Sequence, residues 1–156
     1  MTKPRVLISD KMDPNAAKIF AERGCDVDVI TDKTPEELAA MIGDYAEHAI
    51  ALMFALARQL PEANAQTQAG LWPKNGFMGV EVTGKTLGLI GAGNIGSIVA
   101  SRALGLKMKV VAFDPFLTAE RAVEMGVEKA DLDTLLAKAD FITLHTPLTD
   151  KTRNIV

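Results

Sequence analysis

The chain has 156 residues, 48% of them hydrophobic and 24% charged, a composition typical of a soluble globular protein. Seventeen Lys and Arg residues against 20 Asp and Glu give a net charge of −3 without a basic block, which disfavours binding to nucleic acid or to an acidic membrane. The single Cys25 excludes an internal disulfide, and we expect neither a signal peptide nor a membrane span. These features predict a cytoplasmic α/β or α+β protein with no nucleic-acid or membrane partner.

The first 45 residues alternate between strand and helix patterns. Apolar runs at residues 5–9 and 27–30 predict two buried strands. Asp13-Pro14 begins the first predicted helix, which ends at Gly24, and the capping box Thr34–Glu37 begins the second. The order β-α-β-α is typical of the opening of a parallel α/β unit.

The third strand of such a unit is missing. Tyr45 runs directly into Ala46–Arg58, a segment that is apolar nearly all round and is therefore expected to be buried or to lie at an interface. Two strands with two helices make a poor independent domain, so the junction between Tyr45 and Ala46 is unexpected on physical grounds.

Strand and helix patterns resume after a helix that Pro61 kinks or restarts and a loop over residues 71–83. Helices are predicted after a glycine-rich segment, after Thr118, and after Asp131 or Asp133. The predicted strands are Thr86–Ile90, Lys109–Phe113, a short one near Val127, and Phe141–Leu144.

The glycine-rich segment has the spacing G-x-G-x-x-G, formed by Gly91, Gly93 and Gly96, between a predicted strand and a predicted helix. The first glycine permits a tight turn, the second lets the backbone approach a pyrophosphate, and the third lets the helix pack closely on the sheet. The pyrophosphate would lie at the helix N-terminus, where unpaired N–H groups favour anions. The motif therefore predicts dinucleotide binding; the alternative is a set of plain turn glycines.

Asp114 stands about twenty residues further on, at the end of the next predicted strand. Its carboxylate would accept hydrogen bonds from the ribose hydroxyls and repel a 2′-phosphate. Pro115 and Phe116 supply no cation for such a phosphate, so we predict NAD rather than NADP; the alternative role for Asp114 is a cap.

Three segments resemble the D-2-hydroxyacid dehydrogenases: Gly84–Gly96, Phe113–Pro115 and Leu144–Thr149. The Ala46–Arg58 helix and the loop from Trp72 to Gly79 are similar to the segment that leads into that family's cofactor domain. Residues 3–10 and 34–45 are most similar to its phosphoglycerate dehydrogenase branch. The resemblance covers essentially the whole chain.

The resemblance implies a Rossmann-like parallel sheet with helices on both faces and NAD as cofactor. It implies NAD-dependent oxidation of a D-2-hydroxy acid. The substrate that it favours is 3-phosphoglycerate, an intermediate of serine biosynthesis. The glycine turn would hold the pyrophosphate, partly through the backbone of two helix residues, and two residues after the fourth strand would line the adenine pocket. The implied cofactor-binding residues are Gly91, Gly93, Asn94, Ile95, Gly96, Asp114, Thr146 and Pro147.

Members of that family are longer. They carry a substrate-binding segment between the positions of Tyr45 and Ala46, and a second half of the cofactor domain with a catalytic Arg and a His–Glu pair. The chain thus resembles an internally deleted, C-terminally truncated member. Residues 1–45 are then a remnant of a flavodoxin-like substrate domain, and residues 46–156 are the first half of an NAD-binding domain with strand order 3-2-1-4. We assign no catalytic residue and expect weak dinucleotide binding without measurable catalysis.

Two alternatives stay open at this point. The chain could be a non-catalytic NAD-binding or dimer-forming module, with the apolar helix Ala46–Ala57 at a homodimer face. It could also be an inactive fragment whose open sheet edges prevent a unique fold.

Several single residues have ordinary interpretations. His145, at a strand end, is expected to be a pocket-wall residue rather than a catalytic base, and His48 a buried or interface residue rather than a ligand. Trp72 is either a partner contact or a cover over apolar surface. Four methionines, Met41, Met53, Met108 and Met125, are expected in the core, and no spacing predicts a metal site.

Overall fold

The computed structural model describes residues 5–8, 18, 21–22, 26–29, 35–73, 75–147 and 149–156, and of residues 5–8, 26–29 and 35–44 the backbone alone. The chain divides into two compact units, one made of Met1–Tyr45 with Thr146–Val156 and the other of Ala46–His145. The division falls at the junction that the sequence marks as unexpected. It groups residues 146–156 with the first unit, whereas the sequence analysis assigns them to the cofactor domain; the assignment of the two domains stays a prediction.

The first unit contains two parallel strands, β1 (Arg5–Ile8) and β2 (Asp26–Val29), which pair from Arg5↔Asp26 to Ile8↔Val29. Both strands confirm the sequence prediction within one residue. The predicted helix between them falls mostly outside the described residues, as does Cys25, although Lys18, Ala21 and Glu22 are helical.

Helix α1 runs from Pro35 to Ala57 as one continuous helix of 23 residues, with no break at the unexpected junction. Pro35 at its first position confirms the predicted helix start. Two residues, Arg58 and Gln59, separate it from helix α2 (Leu60–Gln68), and Gln59 is left-handed with a φ of 52°. Pro61 in the first turn of α2 confirms the predicted restart, because proline has no N–H to lose there.

The end of α1 is only half buried. Ala46, Met53 and Ala57 are at most 6% exposed, whereas Leu52 and Leu56, on another side of the helix, are 66% and 75% exposed. The segment is therefore not buried on all sides within the chain, and the alternative that its exposed side lies at an interface stays a prediction. His48 is also exposed. A buried role for His48 is wrong, and an interface role stays a prediction.

The second unit is built on a four-stranded parallel sheet. Its strands are β3 (Thr86–Ile90), β4 (Lys109–Phe113), β5 (Glu128–Lys129) and β6 (Phe141–Leu144). The spatial order β5-β4-β3-β6 confirms the predicted order 3-2-1-4 and the α/β class. Helices α3 (Asn94–Gly105), α4 (Ala119–Met125) and α5 (Leu132–Lys138) connect the strands.

Two apolar layers enclose this sheet. Leu87 and Leu89 of β3 join a core with Val99 of α3, and Met53 and Met108 are buried in the same core, as predicted. On the other face, a β-carbon at Gly88 would lie 2.7 Å from the Leu135 side chain, so α5 packs directly on β3. Burial of Leu135, which is 0% exposed, fixes that helix against the sheet.

Local capping follows the sequence signals. The Thr118 hydroxyl accepts a hydrogen bond from Arg121 N–H at 3.1 Å, and the Asp131 carboxylate accepts one from Thr134 N–H at 2.8 Å. Asp131, not Asp133, is thus the N-cap of α5. Gly126 ends α4 in the left-handed conformation that glycine adopts without strain.

The two edges of the sheet differ. Strand β5 has two residues, both charged, whereas β6 has four uncharged residues, of which Ile142 and Leu144 are 41% and 51% exposed.

No helix in the described part of the chain is long and apolar enough to cross a membrane.

Candidate dinucleotide-binding site

The glycine turn lies where β3 ends and α3 begins. Gly91 has a φ of +94°, which side chains rarely tolerate, so the tight turn requires a glycine there. A β-carbon at Gly96 would overlap the carbonyl oxygen of Gly91, so that helix and turn could not pack as they do. At Gly93, by contrast, a β-carbon would meet no atom within 4 Å. The space in front of Gly93 is therefore open, as a phosphate that approaches the backbone requires.

The N-terminus of α3 presents free N–H groups at the same turn. The first hydrogen bond of the helix runs from Ser97 N–H to Gly93 O at 2.9 Å, so the N–H groups of Asn94, Ile95 and Gly96 precede the hydrogen-bonded ladder. Gly93 and Asn94 are exposed and Ile95 is half-buried. The helix dipole favours an anion at this point.

Asp114 lies directly after β4 and beside the glycine turn. Its Oδ2 accepts a hydrogen bond from Ala92 N–H at 2.8 Å, and its Oδ1 accepts one from Phe116 N–H at 2.7 Å. Gly91 N–H donates to Phe113 O at 2.9 Å, which ties the two strand ends a second time. The structure therefore brings Asp114 and the turn together, as predicted, and adds a direct bond between them that the sequence does not reveal.

His145 directly follows β6, the strand that pairs with β3 on the side away from β4. Its N–H donates to Ile90 O at 2.8 Å, and its Nε2 lies 2.9 Å from the Thr143 hydroxyl. Burial lowers the pKa of His145 below its usual value, so the ring is neutral at physiological pH. Thr146 and Pro147 follow in the chain but belong to the other compact unit, and their role in an adenine pocket stays a prediction.

A cavity of about 680 Å³ opens at the carboxyl ends of β4 and β5. Its lining includes Asp114 and Lys129, together with the acidic residues Glu128 and Asp131. The sequence suggests no cation in the two residues after Asp114, but the cavity contains one further along the chain, Lys129. Lys129 lies on β5, whose parallel pairing with β4 puts it beside Ala112. Within the described ranges, no group of three or more His, Cys, Asp or Glu side chains could hold a metal ion.

The family model described as "D-isomer specific 2-hydroxyacid dehydrogenase, NAD binding domain" matches residues 50–156. The chain belongs to this dehydrogenase family. The match covers the glycine turn, Asp114 and the four-stranded sheet, and it relates this part of the chain to the family's NAD-binding domain.

Individual members show how wide the family is. The chain is 50% identical over 111 residues to D-3-phosphoglycerate dehydrogenase of Archaeoglobus fulgidus, which covers 71% of the chain and 21% of that protein. It is 43% identical over 147 residues to hydroxypyruvate reductase of Thermotoga maritima, covering 89% of the chain and 47% of that protein. The structure of D-lactate dehydrogenase of Aquifex aeolicus, complexed with NAD and lactic acid, aligns with a TM-score of 0.68 at 27% identity, covering 96% of the chain and 43% of that chain. The chain thus spans between a fifth and about half of the length of these relatives.

Proposed function

We propose that the chain binds the adenosine–pyrophosphate half of NAD at the turn from Gly91 to Gly96 and at Asp114. The observation that carries this proposal is the hydrogen bond from Ala92 N–H, in the glycine turn, to the Asp114 carboxylate. Open space at Gly93 and the free N–H groups of Asn94 and Ile95 suit a pyrophosphate. Each oxygen of Asp114 accepts one backbone N–H and retains a lone pair for a ribose hydroxyl.

The parent activity that we propose is NAD-dependent oxidation of a D-2-hydroxy acid. The chemistry that NAD supplies when bound is acceptance of a hydride from the hydroxy acid, which becomes a 2-oxo acid. The similar proteins named above include a phosphoglycerate dehydrogenase, and we propose 3-phosphoglycerate, and with it serine biosynthesis, as the substrate and role of the parent protein. This chain supplies binding of the cofactor's adenine side and no residue that we assign to catalysis, so we expect no turnover by the chain alone.

NAD rather than NADP is proposed because Asp114 would repel a 2′-phosphate. Lys129 lines the same cavity as Asp114. It is the cationic residue in that lining, and a positive charge there would weaken the preference for NAD over NADP. The role of Thr146 and Pro147 at the adenine pocket, and the domain assignment of 1–45 as a substrate-domain remnant, belong to the same proposal. A single cysteine fits a reducing, cytoplasmic location.

A second candidate function is a non-catalytic module that forms a homodimer. The observation that favours it is a set of exposed apolar residues at the end of α1, at the start of α2 and in the loop after α2. Its members are Leu52, Leu56, Leu60, Leu71 and Trp72, each more than half exposed. Size-exclusion chromatography with light scattering should then give twice the 16.7 kDa of one chain, and Leu56→Glu should restore the monomer.

Calorimetric titration with NADH tests the primary proposal, with NADPH as the comparator. We expect saturable 1:1 binding of NADH and weaker binding of NADPH. In Asp114→Ala, NADH binding should weaken roughly 10- to 100-fold and the preference for NADH over NADPH should be lost. Asp140→Ala, which removes another hydrogen-bonded carboxylate of the same sheet, is the matched control and should bind NADH normally. The absence of heat with NADH at millimolar concentration would refute the proposal.

A further inference from the structure

A second cavity lies at the end of the sheet opposite the glycine turn. Its volume is about 580 Å³, and its lining includes Thr86 and Lys109, the first residues of β3 and β4. The glycine turn and Asp114 follow the last residues of the same two strands, so the two sites lie at opposite ends of the sheet. Small-molecule sites have volumes of about 300–1,000 Å³. The cavity is therefore large enough for a ligand, and the proposed function leaves it without a role.

The cavity exists because β5 is shorter than β4. Strand β4 has five residues, whereas β5 begins at Glu128 and pairs with Val111 and Ala112 alone. On this side of Lys109 and Val110, no strand lies in the described part of the chain. The first half of β4 therefore borders a notch in the sheet, and the cavity occupies that notch.

One backbone group points into the notch. Lys109 N–H donates to Lys85 O at 2.9 Å, on the side of β3. Successive N–H groups of a strand point to opposite edges, so Val110 N–H points the other way, towards the cavity that Val110 lines. Although Val110 is only 4% exposed, no acceptor for its N–H is found among the described residues. Buried N–H groups are rarely left unpaired, so we expect an acceptor inside the cavity.

Two lysines make the cavity attractive to an anion. Lys109 is exposed and forms no ion pair with any described residue, whereas Lys138 is paired with Glu128. These three side chains carry the charges of the lining and leave an excess of one positive charge. A carboxylate is the acceptor that gains most here, because hydrogen bonds from an ammonium group or a backbone N–H to an ionised oxygen are stronger than those between neutral groups.

The inner wall of the cavity is apolar. Met108 and Val111 are 4% and 3% exposed, and Leu104 is half-buried. Gly126 leaves room beside Leu104, since a β-carbon at this glycine would lie 3.4 Å from the leucine side chain. An apolar group of a ligand would leave water and contact these side chains.

We propose that this notch binds a small carboxylate with an apolar tail, the chemistry of a short-chain fatty acid. One carboxylate oxygen accepts a hydrogen bond from Val110 N–H and the other pairs with Lys109 Nζ, while the tail packs on Leu104 and Met108. The site uses none of the residues that we propose for dinucleotide binding, so the inference does not depend on the proposed function.

The test titrates the full chain with sodium hexanoate and follows the backbone amide signals by NMR. We expect a saturable shift of the Val110 amide. Acetate, which lacks the tail, and hexylamine, which has a tail but a positive charge, should each bind about tenfold more weakly or less.

Two variants change the charge of the lining in opposite directions. Lys109→Gln should weaken hexanoate binding about fivefold, which corresponds to about 1 kcal/mol. Glu128→Gln should tighten it, because the substitution removes a negative charge and releases Lys138. Lys107→Gln, which removes an exposed lysine outside the lining, is the matched control and should bind hexanoate as the wild type does.

The outcomes separate this inference from the proposed function. The absence of a Val110 shift at millimolar hexanoate would overturn the inference, and this result does not depend on the folding of any variant. Equal affinities of Lys109→Gln and Lys107→Gln would also overturn it, because Lys109 would then act only through the net charge. NADH should leave the hexanoate affinity unchanged, and displacement of hexanoate by NADH would contradict a separate site. A chain that binds hexanoate but not NADH would overturn the proposed function alone.

Discussion

Two carboxylates at opposite ends of strand β3 accept hydrogen bonds of the same kind and have different surroundings. At the amino end, Asp140 Oδ2 accepts from Thr86 N–H at 2.8 Å, and its Oδ1 lies 3.6 Å from Lys85 Nζ. At the carboxyl end, Asp114 Oδ2 accepts from Ala92 N–H at 2.8 Å, and its second bond comes from Phe116 N–H. One carboxylate is thus balanced by a lysine, while among the described residues the other is held by backbone N–H groups.

The difference shows how a sheet separates stability from recognition. An exposed ion pair such as Lys85–Asp140 contributes about 0–1 kcal/mol to the stability of the fold. It offers little to a ligand, because the Asp140 carboxylate is already paired with Lys85. The charge of Asp114 remains available to hydroxyl donors at the end of the sheet where open α/β folds bind ligands. The two aspartates therefore serve as controls for each other.

The largest expected effects come from the two glycines of the ligand end. Gly96→Ala should destabilise the chain by about 1–3 kcal/mol and abolish NADH binding, because its β-carbon overlaps the Gly91 carbonyl oxygen. Gly93→Ala has open space and a φ of −70°, so it should leave the thermal midpoint unchanged and still weaken binding. Thermal unfolding and calorimetry together check both. Normal NADH binding in Gly93→Ala would show that the pyrophosphate lies elsewhere.

Asp114→Ala and Asp140→Ala test the comparison directly. The loss of charge-assisted hydrogen bonds to ribose, worth about 1.5–3 kcal/mol, should weaken NADH binding roughly 10- to 100-fold in Asp114→Ala. Asp140→Ala should lower the thermal midpoint slightly and leave binding unchanged. Equal effects of the two substitutions on binding would show that Asp114 acts only as a brace for the fold.

A substitution of Lys129 tests whether this cation offsets the effect of the Asp114 charge on the choice between NADH and NADPH. Lys129→Ala removes the described cation that lines the same cavity, so NADPH binding should fall a few-fold and NADH binding should change less. The ratio of the two dissociation constants is the measurement. An unchanged ratio would remove Lys129 from any account of cofactor choice.

The smallest expected effect concerns pH. Burial lowers the pKa of His145 in the folded chain, so the unfolded chain binds the proton more readily. Stability should therefore be unaffected above the unfolded pKa of about 6.5 and fall as pH decreases below it, towards the folded pKa. Thermal midpoints between about pH 5 and 8 should show a weaker pH dependence in His145→Gln than in the wild type. A profile that His145→Gln does not change would assign the acid sensitivity to other groups.

Local signals predicted most of the second unit. The strands Thr86–Ile90, Lys109–Phe113 and Phe141–Leu144 have the predicted bounds, since each is a short apolar run between turn residues. The order of the strands was implied by the resemblance to a Rossmann-type NAD-binding domain, whose glycine motif the chain carries. The cap at Thr118 was equally local, because an N-cap involves residues three apart.

What the sequence did not reveal depends on distant neighbours. The bond from Ala92 N–H to Asp114 joins residues that are 22 positions apart, and it exists only because β3 and β4 end side by side. The exposure of Leu56 and His48 depends on what packs against one side of α1, which an all-apolar helix pattern does not encode. Lys129 was missed for the same reason, since it lines the same cavity as Asp114 only because β4 and β5 pair side by side.

The two edges of the sheet differ in how readily they can pair with a further strand. At β5, an added strand would meet Glu128 and Lys129, two exposed charges on a pairing edge only two residues long. At β6, it would meet a longer, uncharged edge with Ile142 and Leu144 beside it as apolar surface to cover. Any extension of this sheet, by more of the same polypeptide or by another, is therefore favoured at the β6 edge.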